Sequence, residues 1–275
     1  SINVGYWSNL KKEENKKLID LAKLKTPIEA IRKIEPNLEK VIFSQKRQAG
    51  LELLNLQGNE KCIDFGCMWG ALTIPLAKRT NLVMGVDQTK DSLRFLNERI
   101  KHENLENIIL LNTDIKEFDL KSDSLFDIAI VNGVLEWIPE QGSIELRNYY
   151  GKRNLKSYKS TKSPLDQQYE FLKKIYRNLN KNGKLYLAIE NRYDFKMFFG
   201  VNDPHSNLPL TSIFPKSISN IISKIILGRP YVNWIYSRKE LIKILRKVGF
   251  TNINLYLTFP DYRFPERIIP YNSSL

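Results

Sequence analysis

Residues 61–79 read KCIDFGCMWGALTIPLAKR, and the turn inside them, Asp64-Phe65-Gly66-Cys67-Met68-Trp69-Gly70, decides the fold. A short apolar run reaches Phe65, two glycines follow, and the apolar positions from Ala71 onward recur at helical spacing, so the pattern is strand, tight loop, helix. Such a passage exposes unpaired backbone N–H groups at the positive end of a helix dipole, and glycines let a ligand approach that backbone closely. Met68 stands where loops of this kind place a middle glycine. A Met side chain turned inward would block the pocket, whereas one turned outward would leave it open.

Working outward, short apolar strands alternate with amphipathic helices from Lys61 on, which predicts a parallel sheet covered on both faces. Strands are expected at Lys61 to Phe65, Leu82 to Asp87, Ile108 to Asn112, Phe126 to Asn132 and Lys184 to Glu190. Helices are expected at Ala71 to Arg79, Lys90 to Glu103 and Leu165 to Leu179, with Asn180-Lys181-Asn182-Gly183 as the turn into the fifth strand. Near the C-terminus Ser237 is placed to cap a helix to Lys247 that Gly249 ends. A sixth strand follows at Asn252 to Leu257, and a last short one near Arg267 to Tyr271.

Residues 1–50 read as a helical lid or brace, with helices at Asn9 to Leu24 and Pro27 to Ile34 and a third at Phe43 to Leu56. Residues 51–275 form the main domain. Two insertions, 141–164 and 191–236, follow the fourth and fifth strands, where open α/β sheets build substrate sites, so both are expected to cap the substrate side. The second contains an amphipathic piece near Ser217 to Leu227.

With 43 Lys and Arg against 30 Asp and Glu, the chain carries a formal charge of +13. Lys is abundant together with Asn and Ile, and the basic runs at Lys11 to Lys17 and Lys152 to Lys162 are not interleaved with aromatics in a nucleic-acid motif. Nucleic acid is therefore the less favoured partner. The two cysteines, Cys62 and Cys67, are too few for a disulfide framework and too isolated for a zinc site, and no metal is expected. No apolar run approaches the roughly 20 residues that cross a bilayer, and no secretion signal opens the chain, so a cytoplasmic protein without membrane insertion is expected. The start at Ser1 fits a domain of a larger protein.

The acids carry the chemistry. Asp87 closes the second strand in VMGVDQ, about 20 residues beyond the loop, where a carboxylate accepts from both ribose hydroxyls. Asp114 follows the third strand in LLNTDI, placed to accept from an adenine amino group, with Ile115 to cover the ring. A dinucleotide oxidoreductase would use the same ribose acid, but Gly66-Cys67-Met68-Trp69-Gly70-Ala71 does not supply its G-x-G-x-x-G spacing.

With these residues in order, the segment from Lys61 to Glu190 resembles class I S-adenosylmethionine-dependent methyltransferases. The resemblance implies a Rossmann-like, doubly wound sheet of seven strands, parallel with an antiparallel last strand. It implies that Asp64 supports the methionine end of the cofactor, that Gly66, Cys67 and Gly70 lie against it, and that Asp87 with Gln88 holds the ribose. Asp114 and Ile115 then meet the adenine. In FDIAIVNGVLEWI, Asn132 and Gly133 border the methyl-bearing sulfonium. S-adenosylhomocysteine is the implied product.

Further on, IENRYDFKMFFGVNDPHSNLP, GRPYVNWIYSRKEL and FPDYRFP resemble a bacterial branch of these enzymes associated with surface-polysaccharide assembly, which points to O-methylation of a small-molecule or carbohydrate acceptor. A hydroxyl acceptor needs a base near its oxygen. His205 in the second insertion is the preferred base, Glu190 the second catalytic candidate, and Asn191, Arg192 and Tyr236 the acceptor-binding candidates. An RNA or protein methyltransferase is the alternative, although VNGVLEW lacks the Asn/Asp-Pro-Pro-Tyr of amino-methylating nucleic-acid enzymes of this fold. A non-catalytic scaffold, closed by Met68, is the third reading.

Overall fold

The computed structural model describes residues 10, 12–118, 125–139, 162–203, 208, 210–228, 231 and 233–271. The chain folds as two compact units, one of residues 4–132, 177–188 and 254–275, the other of 1–3, 133–176 and 189–253.

The first unit holds the sheet. Its strands are β1 (Lys61–Phe65), β2 (Leu82–Asp87), β3 (Ile108–Asn112), β4 (Phe126–Asn132) and β5 (Leu179–Ala188), all parallel, in the order β3-β2-β1-β4-β5. β1 and β4 are buried almost throughout, as near-continuous apolar runs in a two-sided sheet should be. From β1 the chain builds outward through β2 and β3, then crosses back to β4 on the other side. That reversal at the β1/β4 boundary is the switch point where such sheets open a crevice at their carboxyl ends.

Three helices precede the sheet: α1 (Lys12–Leu24), α2 (Pro27–Ile34) and α3 (Asn37–Phe43). In α2, Thr26 and Glu29 exchange capping hydrogen bonds and Pro27 takes the first turn, where its missing N–H costs nothing. Leu18, Ile31, Leu38 and Ile42 from these helices form one apolar cluster with Trp69 of the loop and Phe95 of α5 (Lys90–His102). The N-terminal segment thus belongs to the same unit as the sheet. A 3₁₀ helix, Gln45–Leu54, stands where an α-helix from Phe43 to Leu56 was expected. The helix after the loop, α4, is confined to Thr73–Ala77.

The expected seven-stranded sheet is corrected to five parallel strands and a separate antiparallel pair, β6 (Tyr256–Phe259) and β7 (Arg267–Pro270). β6 spends its ladder groups on β7, and the Tyr271 and Glu266 N–H groups close the pair on the Leu255 and Phe259 carbonyls. The fifth strand also starts earlier than expected. Asn180 to Gly183 lie within it at a register shift between the Phe126 and Ile128 pairs, instead of forming a separate turn.

The second unit holds α6 (Pro164–Arg177) up to Tyr176, α7 (Phe195–Phe198), α8 (Lys216–Leu227) and α9 (Arg238–Val248). Ser237 caps α9 and Gly249 terminates it, as the sequence predicts, and Glu240 completes a capping box with Ser237. Most of the 141–164 insertion lies outside the described residues. Among the described residues no helix is long and apolar enough to cross a membrane.

Gly70 adopts φ +76°, and a Cβ there would lie 2.2 Å from Leu96 Cδ1. Both the backbone and the space exclude a larger residue. Gly70→Ala should lower stability by about 1–3 kcal/mol, read as a shift of the urea midpoint.

Candidate active site

The loop after β1 is held to the end of β2 by shared acceptors. The Gly66 and Cys67 N–H groups both donate to the Val86 carbonyl, at 2.8 and 3.3 Å, and Gly70 N–H closes a turn on the Cys67 carbonyl at 2.8 Å. Gly66 is at φ +70° and Met68 at φ +45°. Met68 therefore takes the left-handed conformation that a glycine would adopt there, at a cost of about 1–2 kcal/mol for an L side chain. Its N–H offsets that cost by donating to Asp87 Oδ2 at 2.9 Å. The Met68 side chain packs against the helical cluster of α1, α2 and α3. Arg99 of α5 donates to the Trp69 carbonyl, and its guanidinium stacks over Phe43 at 4.6 Å. Arg99 was not anticipated, because its partner is a backbone oxygen thirty positions away.

Asp87 is buried at the end of β2, where its Oδ1 accepts from Thr89 N–H at 2.7 Å. Burial pushes its carboxyl up to about 6, against the pull of the Thr89 and Met68 N–H groups. Asp64 is buried on β1 and accepts from Thr73 Oγ1 at 2.7 Å. Desolvation, with a smaller push from the Asp87 charge, raises it to about 7. The Cys67 thiol is buried and shifted upward by desolvation, which leaves it a packing group instead of a nucleophile. Gln88 is exposed. Asp114 and Ile115 are half-buried beyond β3. Asp114 Oδ1 accepts from Lys116 N–H at 2.8 Å, and Oδ2 lies 3.6 Å from Lys116 Nζ. At the end of β4, Asn132 Oδ1 is buried with no hydrogen-bond partner among the described residues, and Gly133 follows at φ +68°.

The residues expected to bind the acceptor lie in the second unit. Asn191 bridges to Tyr236, and Arg192 N–H donates to the Tyr236 carbonyl at 3.0 Å. The Arg192 guanidinium donates to the Ser212 and Phe214 carbonyls at 3.1 and 2.9 Å and to Glu240 at 3.1 Å. The Tyr236 hydroxyl is buried against Gln168 Oε1, while Gln168 Nε2 donates to the Leu135 and Trp234 carbonyls. In this conformation Arg192 and Tyr236 therefore frame the excursion after β5. Glu190 is half-buried two residues beyond β5. His205 lies outside the described residues.

Sequence reasoning missed Lys216. Its Nζ sits 4.2 Å from the Tyr231 ring centre and 4.5 Å from that of Trp234, and donates to the Asn233 carbonyl. Desolvation lowers this amine to about 7. Nothing in the sequence around Lys216 distinguishes it from the chain's many solvated lysines.

A family model described as a methyltransferase domain matches residues 56–205. The chain belongs to that family, whose members take the methyl group from S-adenosylmethionine. Among curated proteins, a probable ribosomal RNA small subunit methyltransferase A of Methanosphaera stadtmanae is 26% identical over 178 residues, 64% of this chain. The chain spans 58% of the length of that relative. An S-adenosylmethionine-dependent methyltransferase of Methanosarcina mazei superposes with a TM-score of 0.50 at 15% identity, over 80% of this chain and 92% of that one. A phosphoethanolamine N-methyltransferase 1 of Haemonchus contortus, solved with phosphoethanolamine and S-adenosylhomocysteine, gives 0.42 at 17% identity, over 65% of this chain and 32% of that one.

The carboxyl edge of the sheet fits that donor. Asn132 Oδ1 is a buried acceptor in want of a donor, and Asp87 keeps two of its roughly four lone-pair positions beyond those taken by Met68 and Thr89. Acceptors and carboxylates suit a ligand that carries hydroxyl and amino donors and a positive sulfonium.

The raised acids set a pH dependence. A carboxyl with a folded pKa above its unfolded value stabilises the fold fully below about pH 4, and that contribution is lost as pH rises through about 7 for Asp64. Asp64→Asn should flatten the fall in melting temperature between pH 5 and pH 8 (about three units around the shifted pKa). An unchanged slope would place the titrating group elsewhere.

Proposed function

We propose that this chain transfers a methyl group from S-adenosylmethionine to a hydroxyl of a small-molecule or carbohydrate acceptor, the carbohydrate case being a surface-polysaccharide precursor. The observation that carries the reading is the end of β4. Asn132 presents a buried, unpartnered oxygen there, and the chain continues as Gly133-Val134-Leu135 without the prolines and tyrosine that amino-methylating nucleic-acid enzymes place at this point. The polysaccharide assignment rests on the sequence of 189–209, 228–241 and 259–265.

When bound, S-adenosylmethionine supplies an electrophilic methyl group. Asp87 and Asp114 accept from donors of the bound molecule, and Asn132 orients its charged end. The acceptor hydroxyl attacks in line, and the chain must take up its proton. Glu190 or His205 serves as that base, and Asn191 binds the acceptor. Arg192 and Tyr236 contribute by holding the excursion that carries these groups.

An RNA acceptor is the second reading, favoured by the Methanosphaera stadtmanae relative, a probable ribosomal RNA methyltransferase, and by the charge of +13. Incubation with methyl-tritiated donor separates the two, using a panel of sugars, sugar nucleotides and small hydroxyl compounds beside total RNA. The proposal expects label in a small-molecule product and less than about a tenth of it after Glu190→Gln or His205→Ala, since general bases contribute roughly 100-fold or more. Label confined to RNA, with RNA binding that weakens steeply as salt rises, would replace it with the second reading.

A further inference from the structure

Helix α8 is inverted. An amphipathic helix on a soluble unit turns its apolar residues inward, yet here Ser219 and Ser223 are fully buried, with Ser219 Oγ donating to the Thr211 carbonyl at 2.6 Å. The isoleucines point outward: Ile218 is 43% exposed, Ile221 57%, Ile225 77% and Ile226 60%. Ile218, Ile221 and Ile225 are spaced three and four apart, so they line one face. The same excursion exposes Phe198 and Phe199 at the end of α7, at 62% and 83%. Single exposed apolar residues are ordinary, but a row of them over a polar underside marks an interaction surface.

The charges around this face select the occupant. Residues 195–228 contain Lys196, Lys216 and Lys224 and a single acid, Asp203, which is fully buried and accepts from the Tyr231 hydroxyl at 2.7 Å. Lys224 is exposed within the isoleucine row. Lys196 and Lys216 are half-buried, so the face offers aliphatic side chains and the exposed Lys224, with no acid on the helix itself, which matches the acyl boundary and headgroups of an anionic bilayer. A second copy of the chain, packed through the same face, would bring Lys224 near its own counterpart. With twelve residues, α8 is too short to span a bilayer and suited to lie in its interface.

We infer that the outward face of α8 docks this protein on anionic lipid surfaces. Sedimentation of the full chain with vesicles of phosphatidylcholine alone, or with about 30% phosphatidylglycerol, tests the inference. Binding is expected to the anionic vesicles and to weaken with salt. It should fall by about tenfold or more in the Ile221→Ser/Ile225→Ser variant, from the apolar area removed, and also in Lys224→Glu. Both variants alter exposed positions, and matching far-ultraviolet circular dichroism melts show that the fold is kept. A chain that stays in the supernatant, or a double variant that sediments like the parent, would overturn the proposal. So would a dimer seen by light scattering that the double variant dissolves, because the face would then belong to a second copy.

Discussion

The hydrogen bond from Met68 N–H to Asp87 ties together the parts on which the rest of the first unit depends. A buried carboxylate is costly unless hydrogen bonds replace its water, and Asp87 is supplied from two directions, by the loop after β1 and by the turn after β2. The same contact holds Met68 in its left-handed conformation, which directs the side chain onto the N-terminal helices. Loop, strand end and helical brace are thereby coupled. A residue that looked like a defect in a glycine loop fastens the loop to its support.

Much of this was legible because it depends on local pattern. The four strands β1 to β4 follow from short apolar runs, and the acids at their ends follow from position alone. The cap on α9 was readable as Ser237 before a helical run that Gly249 ends. Features that depend on distant partners were hidden. Arg99 acts on a backbone carbonyl, Lys216 has its amine lowered by burial, and the pairing of β6 with β7 instead of the main sheet is a choice between edges that neither strand's composition declares. The underside of α8 was hidden for a related reason, since helical periodicity shows that a helix has two faces but not which one is turned inward.

The two sides of the proposed chemistry differ in how they are built. The cofactor side is backbone geometry fixed by a parallel sheet, with a few acids and one unpartnered amide oxygen. The acceptor side is an excursion braced by Arg192 and Tyr236, whose polar groups are already engaged. Such an arrangement lets the acceptor change by altering the excursion while the sheet edge stays constant.

The central claim is that the loop from Gly66 to Gly70 and the acid at the end of β2 form one S-adenosylmethionine pocket. Isothermal calorimetry with S-adenosylmethionine on the chain and on Asp87→Ala addresses it directly. The account predicts saturable binding by the chain and none by the variant at high micromolar cofactor. Absence of binding by the chain itself, or equal binding by the variant, would contradict it.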